Sequence, residues 1–324
     1  MLDAKTRGTF PIVPTPFAAD GKLLLSDIPR LVDYYEACGV TGLTILGVFG
    51  EAFKLSTEET AACIKEFTRC AAGRLPVIVG VTSVGLARSV ELGRLAMEAG
   101  ASGAMLQPTV GLHQEDALVA FFERFVSQSS GEVPLCVMDD PQSSNVQISL
   151  AAWCRISQLP PVFMLKHEPL PGLPQLSQII RAQAQGEARK VAIFSSSNAM
   201  YLPQELGRGT NGTMVGVAYS DAIARICQLY WQGDVDSAAD LHDAVSPIIR
   251  QEKQGQYGLA VRKEILRRRG ALTSNSLRYP SVVLDTQDLA DLDRLMMRLE
   301  RRLAELSITL PLPVQGRNTV RTDL

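Results

Sequence analysis

Residues 162–168 read Val-Phe-Met-Leu-Lys-His-Glu, an apolar run that ends in a lysine with a carboxylate two positions on. Pro160, Pro161 and Pro169 bound the run, and a short apolar run so bounded reads as a buried strand. A lysine at the end of such a strand must be paired or neutral, because burial disfavours the charged amine. A neutral amine attacks a ketone carbon and forms a Schiff base. Strand side chains repeat every two residues, so Lys166 and Glu168 share one face, with Cα atoms roughly 6.6 Å apart. A candidate nucleophile thus stands beside a candidate acid/base. The plainer alternative is an ion pair in which Glu168 only positions Lys166. His167 falls on the opposite face by strand alternation and is left out of the site.

The elements that must position this pair form a regular series. Strands are predicted at residues 8–15, 42–46, 76–81, 103–106, 134–138, 162–166, 191–195 and 212–217. Helices are predicted after them, near 28–38, opening at Ser56 after the second strand, and near 88–99, 114–126, 149–157, 176–184, 199–207 and 222–231. Ser26 is placed as the cap of the first helix, and Ser56-Thr57-Glu58-Glu59 as the capping box of the second. The strands are short and apolar on both faces, as a covered parallel sheet requires. Eight strand-then-helix units over this length predict an α/β fold, a (β/α)8 TIM barrel, over residues 1–231. An open doubly wound sheet would carry a Gly-rich nucleotide turn after its first strand, where this chain has Thr15-Pro16-Phe17. Residues 232–308 are purely helical in pattern and read as a C-terminal extension. Residues 309–324 read as a loosely ordered tail.

Active sites of such barrels lie at the C-terminal ends of the strands. Three unusual strand ends would meet there: Lys166, the turn from Gly47 to Glu51, and Met138-Asp139-Asp140-Pro141. Asp139 either hydrogen-bonds substrate hydroxyls or caps the turn before Pro141. Ser195, Ser196 and Ser197 either bind hydroxyls or form a generic polar loop.

Composition excludes several classes. The net charge of −2 implies no nucleic-acid partner. The three histidines lack metal-ligand spacing, so no metal and no cofactor are expected. The six cysteines form no CxxC and read as reduced core thiols. No run is long enough to span a bilayer and the N-terminus has no apolar signal core, so a cytoplasmic protein without a membrane partner is expected.

From Gly8 to Leu306 the chain resembles the dihydrodipicolinate synthase / N-acetylneuraminate lyase family, Schiff-base lyases on a (β/α)8 barrel with a C-terminal helical extension. The resemblance rests on the opening strand Gly8-Thr9-Phe10-Pro11-Ile12-Val13-Pro14-Thr15-Pro16-Phe17. It rests also on Gly47-Val48-Phe49-Gly50-Glu51 in place of a G-[ST]-[ST]-G-E turn, on the strand ending at Lys166, and on Gly212-Thr213-Met214-Val215-Gly216. It implies that Lys166 forms the Schiff base and that a homotetramer forms. Substrate contacts are expected from Gly47, Val48, Phe49, Gly50, Met138, Asp139, Ser195 and Val215, with the turn's backbone N–H groups holding the carboxylate of a 2-oxo acid. Phe49 would wall the pocket, and Glu51 would bond the amides of its own loop.

The departures narrow the activity. The family's strand-five tyrosine, in a Y-N-x-P pattern, is Met138 here, and methionine transfers no proton. The turn hydroxyls are replaced by Val48 and Phe49, a P-Y-Y pattern by Thr109-Val110, and the synthases' carboxylate-binding arginine falls near Ser143. Synthase activity is therefore not expected. K-x-E with an aspartate after strand five is similar to the branch that dehydrates 2-keto-3-deoxy sugar acids, such as 2-keto-3-deoxy-L-arabonate. Such a reaction needs only an iminium and a carboxylate base. A pyruvate aldolase and a barrel that only binds a ligand are the alternatives.

Overall fold

Strand β1 (Gly8–Thr9) is followed by β2 (Leu43–Ile45), β3 (Val77–Gly80), β4 (Gly103–Leu106), β5 (Leu135–Asp139), β6 (Val162–His167), β7 (Ala192–Ser195) and β8 (Gly212–Thr213). The structure, a computed structural model, describes residues 2–314. All eight strands pair in parallel in one curled sheet, in the order β1-β8-β7-β6-β5-β4-β3-β2. The first and last strands of that order also touch. Ile12 bridges Thr44, and the Thr41, Thr44 and Val13 amides donate to Thr9, Pro11 and Thr44 carbonyls at 2.8–2.9 Å. The opening strand is shorter than predicted because Pro11 has no N–H to donate. Bonds from Phe10 N to Thr213 O and Ile12 N to Val215 O nevertheless carry the pairing onward at 3.0 and 2.9 Å.

Helices α1 (Ile28–Ala37), α2 (Thr57–Ala71), α3 (Leu86–Glu98) and α4 (Glu115–Gln128) follow the first four strands. Helices α5 (Pro141–Ser144) and α6 (Leu150–Ile156) follow β5, and α7 (Leu173–Gln185), α8 (Leu202–Gly207) and α9 (Ser220–Trp231) follow β6, β7 and β8. The capping box of α2 forms as its sequence predicts, with Glu59 N donating to Ser56 Oγ and Ser56 N to the Glu59 carboxylate. Ser26 does not cap α1. It lies within a 3₁₀ turn, and the N-cap residue is Asp27, whose carboxylate instead accepts from Thr273 N and Oγ1 at 2.8 and 2.7 Å. A long-range partner has displaced the local cap.

Strand alternation divides the core in two. Phe10, Ile12, Ile78, Met105, Cys136, Met138, Met164, Phe194 and Met214 pack on the concave face of the sheet. Their intervening neighbours, such as Val79, Leu106, Val137, Leu165 and Val215, pack outward against the helices. The concave cluster fills the sheet beneath the strand ends, so the side chains above it rest on a solid floor.

Three further helices complete the chain: α10 (Val235–Glu252), α11 (Gly255–Arg268) and α12 (Thr286–Glu305). Buried charge ties α11 and its C-terminal end to α9 and to the turn after β2. Arg269 pairs with Asp221 at 2.6 Å, and Lys263 with Glu51 at 2.6 Å. The predicted loose tail is corrected for residues 309–314: Leu310 and Val314 are buried, Tyr219 Oη donates to Val314 O at 2.9 Å, and Arg269 Nε to Pro313 O at 3.0 Å. The rest of that predicted tail lies outside the described residues. Among the described residues no helix is long and apolar enough to cross a membrane.

Candidate active site

Lys166 and Glu168 lie together at the end of β6. Lys166 is register partner of Met138 on β5, and Glu168 N donates to Asp139 O at 2.8 Å, so the ladder and its alternation continue past the last strand residue. Both side chains therefore point to the concave side, where Lys166 Nζ donates to Glu168 Oε2. Both are buried, at 3% and 7% exposure, in a place where an unpaired charge would be costly. A second amine stands on the other oxygen: Lys253 Nζ is 3.6 Å from Glu168 Oε1. Burial alone would raise the Glu168 carboxyl, but the charges of Lys166 and Lys253 and hydrogen bonds from Lys166 and Ser196 outweigh it and hold the carboxyl below the ordinary value. Glu168 is therefore a carboxylate at neutral pH.

The pair opens into a cavity of about 210 Å³ whose wall includes Gly47, Val48, Phe49 and Met138. The turn after β2 is a 3₁₀ turn in which Gly50 N donates to Gly47 O and Glu51 N to Val48 O. The Val48 and Phe49 N–H groups, as first-turn donors, have no carbonyl within that turn to bond.

Other predicted contacts do not reach the cavity. Gly50 lies beneath the turn, its carbonyl accepting from Thr15 Oγ1 at 2.5 Å. Asp139 follows the alternation that turns His167 away: it faces outward, and its Oδ1 accepts from Ile148 N at 3.3 Å. Burial pushes the Asp139 carboxyl up to about 7, and Asp140 nearby adds to this against the Ile148 bond. Ser195 is wholly buried, with its hydroxyl donating to Gly212 O at 3.4 Å, and Val215 packs in the outer core. Glu51 is structural, but not through the amides of its own loop. Its carboxylate accepts from Lys263 at 2.6 Å, Lys54 at 2.9 Å and Arg278 N at 3.1 Å.

The rest of the cavity lining comes from residues to which the sequence assigned no substrate contact. Asp140, Gln142 and Ser143 line the cavity from α5 and its cap, and Ile12 and Met105 from the concave core. Gln107 Nε2 donates to Ser143 Oγ, and Ser143 Oγ to Asp140 Oδ2, both at 2.6 Å. Burial and the neighbouring Glu168 raise the Asp140 carboxyl, with Lys166, the Ser143 bond and Lys253 opposing. The Asp140-Pro141 pair was a readable signal, since Asp before Pro favours a helix start. Inward alternation could have found Met105. No local signal marks Lys253 or Gly255, which reach the cavity from the junction of α10 and α11. Phe49 walls the cavity with its ring held from behind by Arg262, whose guanidinium carbon is 4.2 Å from the ring centre.

This arrangement can form a Schiff base, and it offers a carboxylate to move protons next to that nitrogen. Residues 5–299 match the model of the dihydrodipicolinate synthetase family. The chain is 30% identical over 302 residues to an L-2-keto-3-deoxyarabonate dehydratase from Azospirillum brasilense, covering 91% of this chain and 94% of that protein. It is 29% identical to a 4-hydroxy-tetrahydrodipicolinate synthase from Methanothrix thermoacetophila, covering 75% and 81%. A solved dihydrodipicolinate synthase from Rhodopseudomonas palustris superposes with a TM-score of 0.89 at 35% identity, covering 92% of this chain and 99% of that one.

Proposed function

The chain belongs to the dihydrodipicolinate synthetase family, and we propose that within it the protein dehydrates a 2-keto-3-deoxy sugar acid through a Lys166 iminium, with Glu168 as acid and base. The observation that carries this reading is the bond between Lys166 Nζ and Glu168 Oε2 at the base of the cavity. Glu168 accepts a proton from the Lys166 ammonium, and the freed amine adds to the C2 ketone, whose oxygen takes one proton from the nitrogen and the one held by Glu168 and leaves as water, so that Glu168 is a carboxylate again. The iminium acidifies C3, and Glu168 takes a C3 proton to give the enamine. The enamine electrons expel the C4 hydroxyl, which leaves as water with the proton from Glu168. Hydrolysis of the conjugated iminium returns Lys166 and an unsaturated 2-oxo acid, so one water is lost overall. The substrate carboxylate is assigned to the Val48 and Phe49 N–H groups.

Three features support a dehydratase over an aldolase of the sialic acid type. Met138 occupies the wall where a phenolic proton carrier would be needed. Val48 and Phe49 bring no hydroxyl to the turn. A cavity of about 210 Å³ lies below the usual range for drug-sized ligands, which suits a small 2-oxo acid. The relationship to a keto-deoxy-arabonate dehydratase points the same way.

We take the eight strands as a closed (β/α)8 barrel over residues 1–231, with residues 232–308 as the helical extension. Assembly as a homotetramer is part of the same reading. Exposed Phe53, Val84 and Val110 line one groove of about 460 Å³ that shares Ser143 with the cavity, and contiguous exposed apolar surface suits a subunit contact. The function is tested by borohydride reduction with pyruvate, read by intact mass, followed by turnover of 2-keto-3-deoxy pentonates and hexonates. One pyruvate adduct that disappears in Lys166→Ala, together with dehydration, is expected. An adduct without turnover of any hydroxylated 2-oxo acid would favour a barrel that only binds.

A further inference from the structure

Lys253 is the second lysine lining the cavity, and the proposed chemistry does not use it. It follows directly on Glu252, the final residue of α10, which is wholly buried. The Glu252 carboxylate accepts from Ala218 N at 3.2 Å and from Arg262 Nε at 3.2 Å. Gly258 packs so closely on the same turn that a Cβ there would lie 2.1 Å from Glu252 O. The backbone that carries Lys253 is therefore clamped against α11 and the segment after β8, and its amine is delivered to within 3.6 Å of Glu168 Oε1 with only 22% of the side chain exposed.

Resting on the lyase reading above, we propose that Lys253 is a positioning residue: it holds the Glu168 carboxylate in place and ionised while Lys166 is engaged with substrate. In the free protein Glu168 has an amine on each oxygen. Once Lys166 becomes an enamine its nitrogen is neutral, and the charge that compensated Oε2 is gone. Lys253 is then the remaining cation within 4 Å of Glu168 among the described residues. It stabilises the carboxylate that re-forms when Glu168 gives its proton to the departing hydroxyl. Other groups act on Glu168 from every side: Asp140 at the α5 cap, Glu205 on α8, His167 on the outer face of β6, Ser196 after β7 and Arg262 on α11. Asp140 and Glu205 oppose its ionisation and Arg262 favours it from farther off, while Lys253 is the cation in direct reach of the carboxylate once Lys166 is neutral.

The test uses exchange of the pyruvate methyl protons with deuterated water, followed by proton NMR against pH. This reads iminium formation and the Glu168 base step without assuming a dehydratase. The full chain is compared with Lys253→Met and Lys253→Arg, with melting curves and borohydride trapping alongside. Lys253→Met should fold and trap pyruvate, while the acid limb of its exchange profile moves up by about one pH unit or more, the usual effect of a cation at this distance. Lys253→Arg should restore the limb. An unmoved limb in Lys253→Met, an equal shift in both variants, or loss of trapping in Lys253→Met overturns the inference and leaves the lyase reading standing. Wild-type protein that neither traps nor exchanges pyruvate overturns both.

Discussion

Replacing Glu168 by glutamine removes one negative charge and keeps the side chain's shape. Two amines lose their ionic partner, one bonded to Oε2 and one 3.6 Å from Oε1. A charge pair at that separation is worth about 1 kcal/mol in water and about 5 kcal/mol at an effective dielectric of 20. The amide still accepts one hydrogen bond and Lys253 reaches solvent, but Lys166 stays buried without a counter-charge, so the cost to folding should be about 3–5 kcal/mol. That corresponds to a drop in melting temperature of several degrees. The catalytic cost should be comparable. A positioned acid/base contributes about 10²–10⁴-fold, equivalent to about 3–5 kcal/mol of barrier. Three assays separate the effects: borohydride trapping with pyruvate, deuterium exchange at C3, and steady-state dehydration of a 2-keto-3-deoxy sugar acid. Glu168→Gln should still trap pyruvate, lose exchange, and dehydrate more slowly by that factor. Normal exchange and turnover in Glu168→Gln would refute the reasoning. The carboxylate would then be only a counter-ion, and the base would have to be Asp140.

Asp139→Asn should keep turnover within about threefold of wild type in the same steady-state assay, because Asp139 faces outward and bonds Ile148 N; a loss of 10²-fold or more would contradict the geometry. Glu205→Gln should stabilise the protein at pH 8 more than at pH 5. Burial holds the Glu205 carboxyl up at about 7, so the folded chain keeps a proton that the unfolded chain loses near 4.5. Stability therefore falls as pH rises between those values, by an order of 2–3 kcal/mol, and thermal melts that shift equally at both pH values would sink this account. The protein should not condense pyruvate with aspartate semialdehyde, since Met138 carries no exchangeable proton and Ser143 offers no guanidinium; a coupled assay giving turnover of order 1–100 per second would show otherwise.

What the sequence determined by itself was periodic or local. Short runs apolar on both faces, each followed by a helical period, marked the eight strands. Ser56 and Glu59 formed their box from neighbouring backbone. Lys166 and Glu168 met because two residues along a strand return a side chain to the same face. These outcomes depend on nearby dihedral angles and survive any tertiary arrangement. What lay beyond sequence was decided by the ends of elements and by distant partners. Inside β5 the period turns Met138 inward and Asp139 outward. Past the strand the chain turns into α5, and the direction of Asp140, Gln142 and Ser143 is set by that turn. Glu51 found Lys263 and Arg278, and Asp27 found Thr273, each far along the chain. Lys253 is the clearest case. Nothing around it in the sequence distinguishes it from a surface lysine. It reaches Glu168 only because Glu252 anchors the end of α10 on the Ala218 amide beyond β8. A buried carboxylate must find donors wherever the packed chain supplies them, and that requirement has no period to read.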